Sequence, residues 1–388
     1  MSALTSIQWT DRTWNPVRGC SRVSAGCDNC YAMNMAHRFS GAGKPFEGLT
    51  TIRRGKVDWT GVARFIPGQL AAPMKWRKPA RIFVNSMSDL FHPSLSNEEI
   101  AAVFGVMAAC PQHTFQVLTK QPKRAAEWFK WVDGSGAGIE SLPIDRCASL
   151  ADDALLNLLP RPARAMAFAP GRGSQRWPIP NVHLGTSAEN QETYNARVPT
   201  LVHGCPAAVH FVSIEPMLGP MRLRGTGHLH LDWVIIGGES GPGSRPCDVA
   251  WIESIVDECR ENAIPCFVKQ LGGNCFAPWR VEWRDNVRSQ GSLEAVAVDC
   301  MGKKTELATV WKNGVWHTWD RRGTGGENAS EPTVELAKAA VLESLQRQHV
   351  TPIKGWARHA HMLRDKKGGD PSEWPESLRV RQFPEARV

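Results

Sequence analysis

The sequence is poor in tyrosine, has no long apolar run and contains only one half of a paired-cysteine metal motif. Its 2 tyrosines stand against 16 tryptophans, several of which fall in loop-like stretches, as at Trp9, Trp14, Trp76 and Trp177. Most of these read as packing residues, and some suit stacking on bases. Without an apolar stretch of about 20 residues, no membrane-spanning helix is expected. The opening Met1-Ser2-Ala3-Leu4-Thr5-Ser6 has neither the basic region nor the apolar segment of a secretory signal. A cytoplasmic protein with no membrane partner is therefore expected, in a reducing compartment. Charge is not gathered into a block either: 46 Lys and Arg against 38 Asp and Glu give a net +8, spread along the chain. Such an excess suits an acidic partner such as nucleic acid, and it equally suits a solvated surface.

A disulfide framework is not expected, because the 11 cysteines are odd in number and 388 residues far exceed the small scaffolds that need such staples. Three of the cysteines stand within eleven residues, in Gly19-Cys20-Ser21-Arg22-Val23-Ser24-Ala25-Gly26-Cys27-Asp28-Asn29-Cys30-Tyr31. Four thiolates would close a [4Fe–4S] cluster, whereas Cys20, Cys27 and Cys30 leave one iron open to a small molecule. The competing reading is a structural zinc site, which takes four Cys or His ligands. No second C-x2-C or H-x3-5-H is present, although His37, seven residues past Cys30, offers a fourth ligand. The remaining cysteines, such as Cys110, Cys205 and Cys266, are scattered singly, mostly in apolar segments where a thiol packs like a small hydrophobe.

Short β-branched or aromatic runs alternate with amphipathic stretches, the pattern of parallel βα units. Seven strands are expected, around Gln8–Thr13, Arg81–Ser86, Thr114–Thr119, Val182–Ser187, His210–Glu215, Trp233–Gly238 and Pro265–Gln270. A helix is expected to open at Asn97 after a Ser96 cap, and another to run from Ile252 to Asn262. This predicts an α/β fold: a partial or complete parallel (β/α) barrel, whose chemistry lies at the C-terminal ends of its strands. Polar residues recur there: Asn85, Ser86, Ser88 and Asp89; Thr119 and Lys120; Ser187 and Glu189; Glu215; Glu239 and Ser240; Lys269 and Gln270. The barrel domain is expected over 1–274, interrupted at about 133–177 by a segment rich in Gly, Pro, Ala and Arg that reads either as an outer insertion or as a lid over the rim. Residues 275–388 read as an appendage with a hairpin over Leu307–Trp319, a helix over Glu335–Gln346 and a mobile basic end from His349.

The segments Thr13-Trp14-Asn15-Pro16 and Cys27-Asp28-Asn29-Cys30-Tyr31-Ala32 resemble the opening of the phage-associated three-cysteine-motif proteins, a family that itself resembles radical S-adenosylmethionine enzymes. The segments Asn85–Phe91, Gln116–Lys120, Ser213–Pro220, Asp232–Gly243 and Phe267–Gln270 resemble further blocks of that family. Together they span residues 9 to 273, and Met301-Gly302-Lys303-Lys304 is similar to a shorter block. The resemblance implies a radical-enzyme barrel in a phage or prophage context, with a [4Fe–4S] cluster on Cys20, Cys27 and Cys30. It also implies S-adenosyl-L-methionine chelated at the open iron. One electron, supplied by a donor protein, would cleave that cofactor to a 5′-deoxyadenosyl radical. On this reading Asn85, Ser86, Ser88, Ser187, Gly237, Gly238 and Ser240 are the candidate cofactor-binding residues, and Asp89, Lys120, Glu215, Glu239 and Lys269 the candidate catalytic ones. The glycine-rich Gly237–Gly243 turn fits close approach of backbone amides to an anion, and equally a tight connection into the next helix. Two features depart from the usual radical signature: Cys20 and Cys27 are more widely spaced, and Asn29 stands where an aromatic residue precedes the third cysteine. Three functions follow: a radical-type enzyme acting on a nucleic acid or nucleotide-derived substrate; a non-catalytic iron–sulfur protein binding nucleic acid or a partner protein through Arg12, Arg18 and Arg22; and a zinc-stabilised barrel hydrolase using Asp89, Glu215 and Glu239.

Overall fold

Seven short segments pair into one sheet in the order in which they occur along the chain. They are β1 (Arg12–Trp14), β2 (Arg81–Val84), β3 (Thr114–Thr119), β4 (Val182–Ser187), β5 (Val209–Ile214), β6 (Trp233–Gly237) and β7 (Cys266–Gln270). The structure, a computed structural model, describes residues 5–134, 142–161, 163–164, 177–223, 231–276, 280–286, 291–298, 304–318, 327–350, 369–374 and 376–384. The pairings from β1 to β6 are parallel, with Ile82 beside Phe115 and Phe211 beside Trp233, for example. Strand β7 follows β6, and the two ends of the sheet, β1 and β7, are not neighbours. The sheet is therefore a curled partial barrel. The first strand sits later than its sequence pattern suggests, because the chain turns at Ile7–Thr10 before it joins the sheet.

Contacts divide the chain into two units: Met1–Gly237 with Ile255–Lys269 and Val380–Val388, and Gly238–Ser254 with Gln270–Arg379. Part of the stretch expected in the barrel domain thus lies in the second unit, and the last residues return to the first.

In the first unit the strands obey a two-residue alternation, as side chains of a strand must. Ile82, Val84, Phe115, Val117, Val182 and Leu184 form one core with the helices outside the sheet. The alternate residues Phe83, Phe211, Trp233, Ile235 and Phe267 form another with Trp9, on the inner side. The outer helices are α2 (Asn97–Ala108), α3 (Pro122–Val132), α4 (Pro143–Ala154) and α5 (Gln191–Gly204), while α1 (Tyr31–His37) follows the cysteine loop. Helix α2 opens with a reciprocal cap: Ser96 Oγ accepts from the Glu99 amide at 3.2 Å and Glu99 Oε2 accepts from the Ser96 amide at 2.9 Å. Helix α4 lies in the 133–177 segment, where no helix is expected from the sequence. Its Ile144, Cys147 and Ala151 join the outer core, so this part of the segment is helical layer rather than lid. The flanking residues 135–141 and 165–176, with Arg172 and Arg176, lie outside the described residues.

The expectation of a mobile C-terminal end is corrected in part. Residues 351–368 lie outside the described residues, but 376–384 are described, and of these 380–384 belong to the first unit. Arg381 forms an antiparallel bridge to Phe267, the Val268 amide donates to the Val380 carbonyl at 2.8 Å, and the Gln382 amide donates to Cys266 at 2.8 Å. Trp233 Nε1 donates to the Gln382 carbonyl at 2.9 Å, and the Phe383 ring lies 5.3 Å from that of Phe267. On its other side the Arg81 guanidinium covers Phe383 at 4.1 Å, and Arg381 reaches Gln8 at 2.9 Å. An open sheet edge exposes a row of unpaired backbone groups, and this segment satisfies those of β7 while covering inner aromatic rings.

The second unit is a five-stranded antiparallel sheet, β8 (Arg280–Asp285), β9 (Ser292–Val298), β10 (Lys304–Trp311), β11 (Val315–Thr318) and β12 (Asn328–Ser330), in chain order. Strands β10 and β11 are the expected hairpin. Helix α7 (Val334–Val350) packs Ala337 and Val341 against Ala308, Val310 and Trp316. Another helix, α6 (Val249–Glu261), begins in the second unit and ends in the first, before β7. Residues 301–303 of the short family-like block lie outside the described residues. No helix among the described residues is long and apolar enough to cross a membrane.

Removing residues 380–388 is expected to expose the β7 edge and the Trp233 and Phe267 rings. The measurement is thermal unfolding with light scattering: a lower melting temperature and earlier aggregation are expected, and an unchanged transition would show that the segment does not seal the sheet.

Candidate functional site

The inward alternation carried past the strand ends yields the set Asn85, Lys120, Ser187, Glu215, Gly237 and Lys269 at the C-terminal rim of the first unit. The cysteine loop begins beside them, because Gly19 bridges to Ser88 in parallel fashion. Gly19 has φ +88°, and a Cβ there would run into the Val62 carbonyl, so both its conformation and its surroundings demand glycine. A short 3-10 turn, Ala25–Cys27, follows, and Cys30 then serves as the N-cap of α1. Cys20 and Cys30 pack against the apolar cluster of Ala32, Met33 and Met87.

Cys20 lies close enough to Cys27 and Cys30, and Cys30 to Cys27, for the charge of one thiolate to bear on its neighbour. Burial pushes Cys20 up to about 12, and the negative charges of Asp89, Cys30 and Cys27 act in the same direction. Burial also raises Cys30, while the backbone amides of Ala32 and Met33 and the charge of Lys120 pull the other way. A bound cation reverses this balance, since a coordinating thiol is deprotonated. Among the described residues, no three His, Cys, Asp or Glu side chains stand in a group that would hold a metal ion. His37, the candidate fourth zinc ligand, directs Nδ1 to Thr50 Oγ1 at 3.0 Å.

One buried ion pair anchors the loop to the sheet. Glu189, two residues past β4, accepts from the Gly26 amide at 3.2 Å through Oε1 and pairs with Arg197 Nη1 of α5 at 3.1 Å through Oε2. Both side chains are buried. Burial alone would raise the Glu189 carboxyl, but the Ser24 hydroxyl, the Arg197 charge, the Gly26 amide and Lys120 together hold it below the ordinary value. Asp89 has a similar tying role: its Oδ1 accepts from Thr119 Oγ1 at 2.7 Å and from the Phe91 amide at 3.0 Å, and its Oδ2 from the Lys120 amide at 2.9 Å. These bonds fasten the β2 loop to the end of β3.

Ser86 and Ser88 are also engaged within the chain, donating to Asn15 Oδ1 at 3.2 Å and to the Val17 carbonyl at 2.9 Å. Asn85, with φ +62°, accepts from the Val17 amide at 3.3 Å through Oδ1, while its buried Nδ2 has no partner. Glu215 pairs with Lys269 at 2.8 Å, joining β5 to β7 across the rim, and its other oxygen accepts from Ser213. Buried Ser187 lends its backbone carbonyl to Arg197, and the Gly237 carbonyl accepts from the Met217 amide.

Gly238, Glu239 and Ser240 belong to the second unit. There Glu239 is clamped by Arg245 through both carboxylate oxygens, at 2.6 and 3.0 Å. A Cβ on Gly238 would run into the Leu271 carbonyl, so close backbone packing accounts for this glycine as a tight connection does. Ser240 is exposed.

Three rim residues stand outside the set chosen from sequence. The Tyr31 hydroxyl donates to the Ser86 carbonyl at 2.9 Å and is pushed up to about 12 by the burial around it, then by the charges of Cys30 and Glu215, although the residue as a whole is 54 % exposed. Asn15 receives bonds from Ser86 and the Met87 amide. His92 accepts from the Ser94 amide on Nδ1, which leaves Nε2 to donate to Ser21 Oγ at 2.7 Å. Adjacency to Cys30 and to Pro16 was the available signal for the first two; nothing in the sequence pairs His92 with Ser21.

Residues 4–318 match the family described as a protein of unknown function (DUF5131). No curated protein and no solved structure matches the chain.

Glu189→Gln leaves the Arg197 charge without its partner and is expected to cost about 3 kcal/mol or more, as for other broken buried pairs. A carboxyl held below its ordinary 4.5 stabilises the fold above that value and ceases to do so as pH falls through the lowered one. Chemical denaturation at pH 7 and pH 3 is the check: a large loss in the variant at pH 7, narrowing at pH 3, is expected, and equal stability at pH 7 would contradict the anchor role.

Proposed function

The chain belongs to the DUF5131 family of proteins of unknown function, and from the chemistry of its rim we propose that it is an iron–sulfur protein of the radical S-adenosylmethionine type. We propose further that it acts on a nucleic acid or nucleotide-derived substrate, in a phage or prophage setting. The observation that carries this reading is the gathering of Cys20, Cys27 and Cys30 on one short loop at the C-terminal rim of a parallel partial barrel, with Cys20 near enough to Cys27 and Cys30 to feel their charge. A polynuclear cluster takes each sulfur on a separate iron, so it needs thiols that are neighbours rather than convergent on one point. The orphaned Asn85 Nδ2 supports a second ligand at the rim, because a buried donor without an acceptor is costly.

When bound, the cluster would supply an open iron and one electron to a sulfonium cofactor. Cys20, Cys27 and Cys30 would hold it, and Asn85 would donate to a carboxylate or hydroxyl of the cofactor. The Glu215–Lys269 pair and Lys120 supply charge of both signs beside it, and the Tyr31 hydroxyl lies near both Cys30 and Glu215. The Phe83, Phe211, Trp233 and Phe267 layer closes the inner side with apolar surface, which keeps water from the reacting groups. Ser86, Ser88 and Asp89 position the surrounding loops rather than the cofactor, since their side chains are bonded within the chain. Glu239 is held by Arg245 in the second unit and has no part in this reading.

The alternatives are less well served. A zinc hydrolase would need a fourth ligand convergent with the three cysteines on one ion, and no such group is found among the described residues. Among the arginines invoked for a non-catalytic binding loop, Arg22 is bonded to Asp28 and Asp58.

Anaerobic reconstitution of the wild type and the Cys20/Cys27/Cys30 triple alanine tests the proposal. About four irons and four sulfides, lost in the triple variant, are expected, with 5′-deoxyadenosine released from S-adenosylmethionine on dithionite reduction. Zinc in place of iron would overturn the proposal, and a loaded cluster that leaves the cofactor uncleaved with nucleic acid present would overturn its enzymatic part.

A further inference from the structure

A groove of about 630 Å³ lies along the free edge of β1 in the first unit. Its walls come from Thr13, Trp14 and Asn15 of the strand end, Met35 and Phe39 of the α1 region, Phe46, and the Gly68–Trp76 segment. The volume is within the range of about 300–1,000 Å³ that small ligands occupy. Phe39 is 50 % exposed and Met35 46 %, an unusual outlay of large apolar side chains on one face. Cations accompany them. Arg18 and exposed Lys75 line the groove, the Arg12 guanidinium lies 5.0 Å over the Trp76 ring, and Arg18 lies 5.7 Å over Phe46. No Asp or Glu lines it. Exposed Arg38, Lys44 and Arg77 stand next to lining residues in sequence, where the acid so placed is Glu47, whose carboxylate accepts from the Gly43 amide.

Aromatic faces interleaved with cations, in a recess too small for a duplex, fit unpaired bases and their phosphates. Each base has a stackable face, and phosphates meet Arg and Lys without regard to sequence. The groove also adjoins the cysteine rim. Asn15 lines it and receives the Ser86 hydroxyl, and Met87 lines it while packing in the same cluster as Cys20 and Cys30.

We propose that this groove binds single-stranded nucleic acid, with a base stacked on Phe39 or Trp76 and phosphates on Arg18 and Lys75, leading the strand towards the cysteine loop. Binding in the groove stands by itself; only delivery to the rim rests on the function proposed above.

The test is fluorescence anisotropy with the full chain and labelled 12-nucleotide RNA, DNA and duplex DNA at 50 and 200 mM salt. Single strands are expected to bind more tightly than duplex and to weaken roughly tenfold over that salt range, as two or three phosphate contacts require. Preference for RNA or DNA identifies which strand the groove takes. Phe39→Ala and Lys75→Glu, both at exposed positions that leave the core intact, are each expected to weaken binding about tenfold. The Cys20/Cys27/Cys30 triple alanine, checked as folded by circular dichroism, is expected to bind like the wild type while lacking iron, which separates the groove from the cluster. Absence of binding at 50 mM salt, equal binding of duplex, wild-type affinity in both groove variants, or loss of binding in the folded triple alanine would each overturn the proposal.

Discussion

A parallel sheet must be covered on both faces, and the arrangement of the first unit follows from that requirement. Outside, aliphatic residues of the strands meet α2 to α5; inside, the alternate positions carry aromatic rings that fill the concave side. Polar side chains have no place at either layer and so collect where the strands end. There the C-terminal rim gains carboxylates, ammonium groups, amides and the cysteine loop. The chemistry is thus confined to one end by the same alternation that builds the core.

Much of this was legible beforehand because the two-residue period is written directly in the strands. All seven were found near their expected positions, and Val182–Ser187 and Thr114–Thr119 coincide with them. Helix α4 was not, since its Ile144, Cys147 and Ala151 stripe is set among Gly, Pro and Arg residues that mark loops. The C-terminal segment was misread for a related reason: a polar, basic stretch looks unstructured when the surface that orders it is made by residues more than a hundred positions earlier. Trp233 and Gln382 are such a pair.

Composition could mark the rim but not say what each carboxylate does there. Asp89, Glu189, Glu215 and Glu239 look alike in sequence, each at or just beyond a strand end. Their partners distinguish them. Asp89 is held by two backbone amides and a threonine hydroxyl, Glu189 by Arg197 and the cysteine loop, Glu239 by Arg245, and Glu215 alone meets a lysine from another inward strand. Asp89, Glu189 and Glu239 fasten loops through amides, a hydroxyl or an arginine, whereas Glu215 bridges two strands of the rim through a lysine.

The strand-like segment at Val380–Phe383 also has a consequence for biosynthesis. The ribosome releases the chain from the N-terminus, so the seven strands emerge before the residues that cover the β7 edge. For the time taken to make residues 270–379, that edge and the Trp233 and Phe267 rings stay open to other nascent chains. Most of the second unit, Gln270–Arg379, is made within this interval, and its length sets how long a chaperone would have to shield the nearly finished first unit.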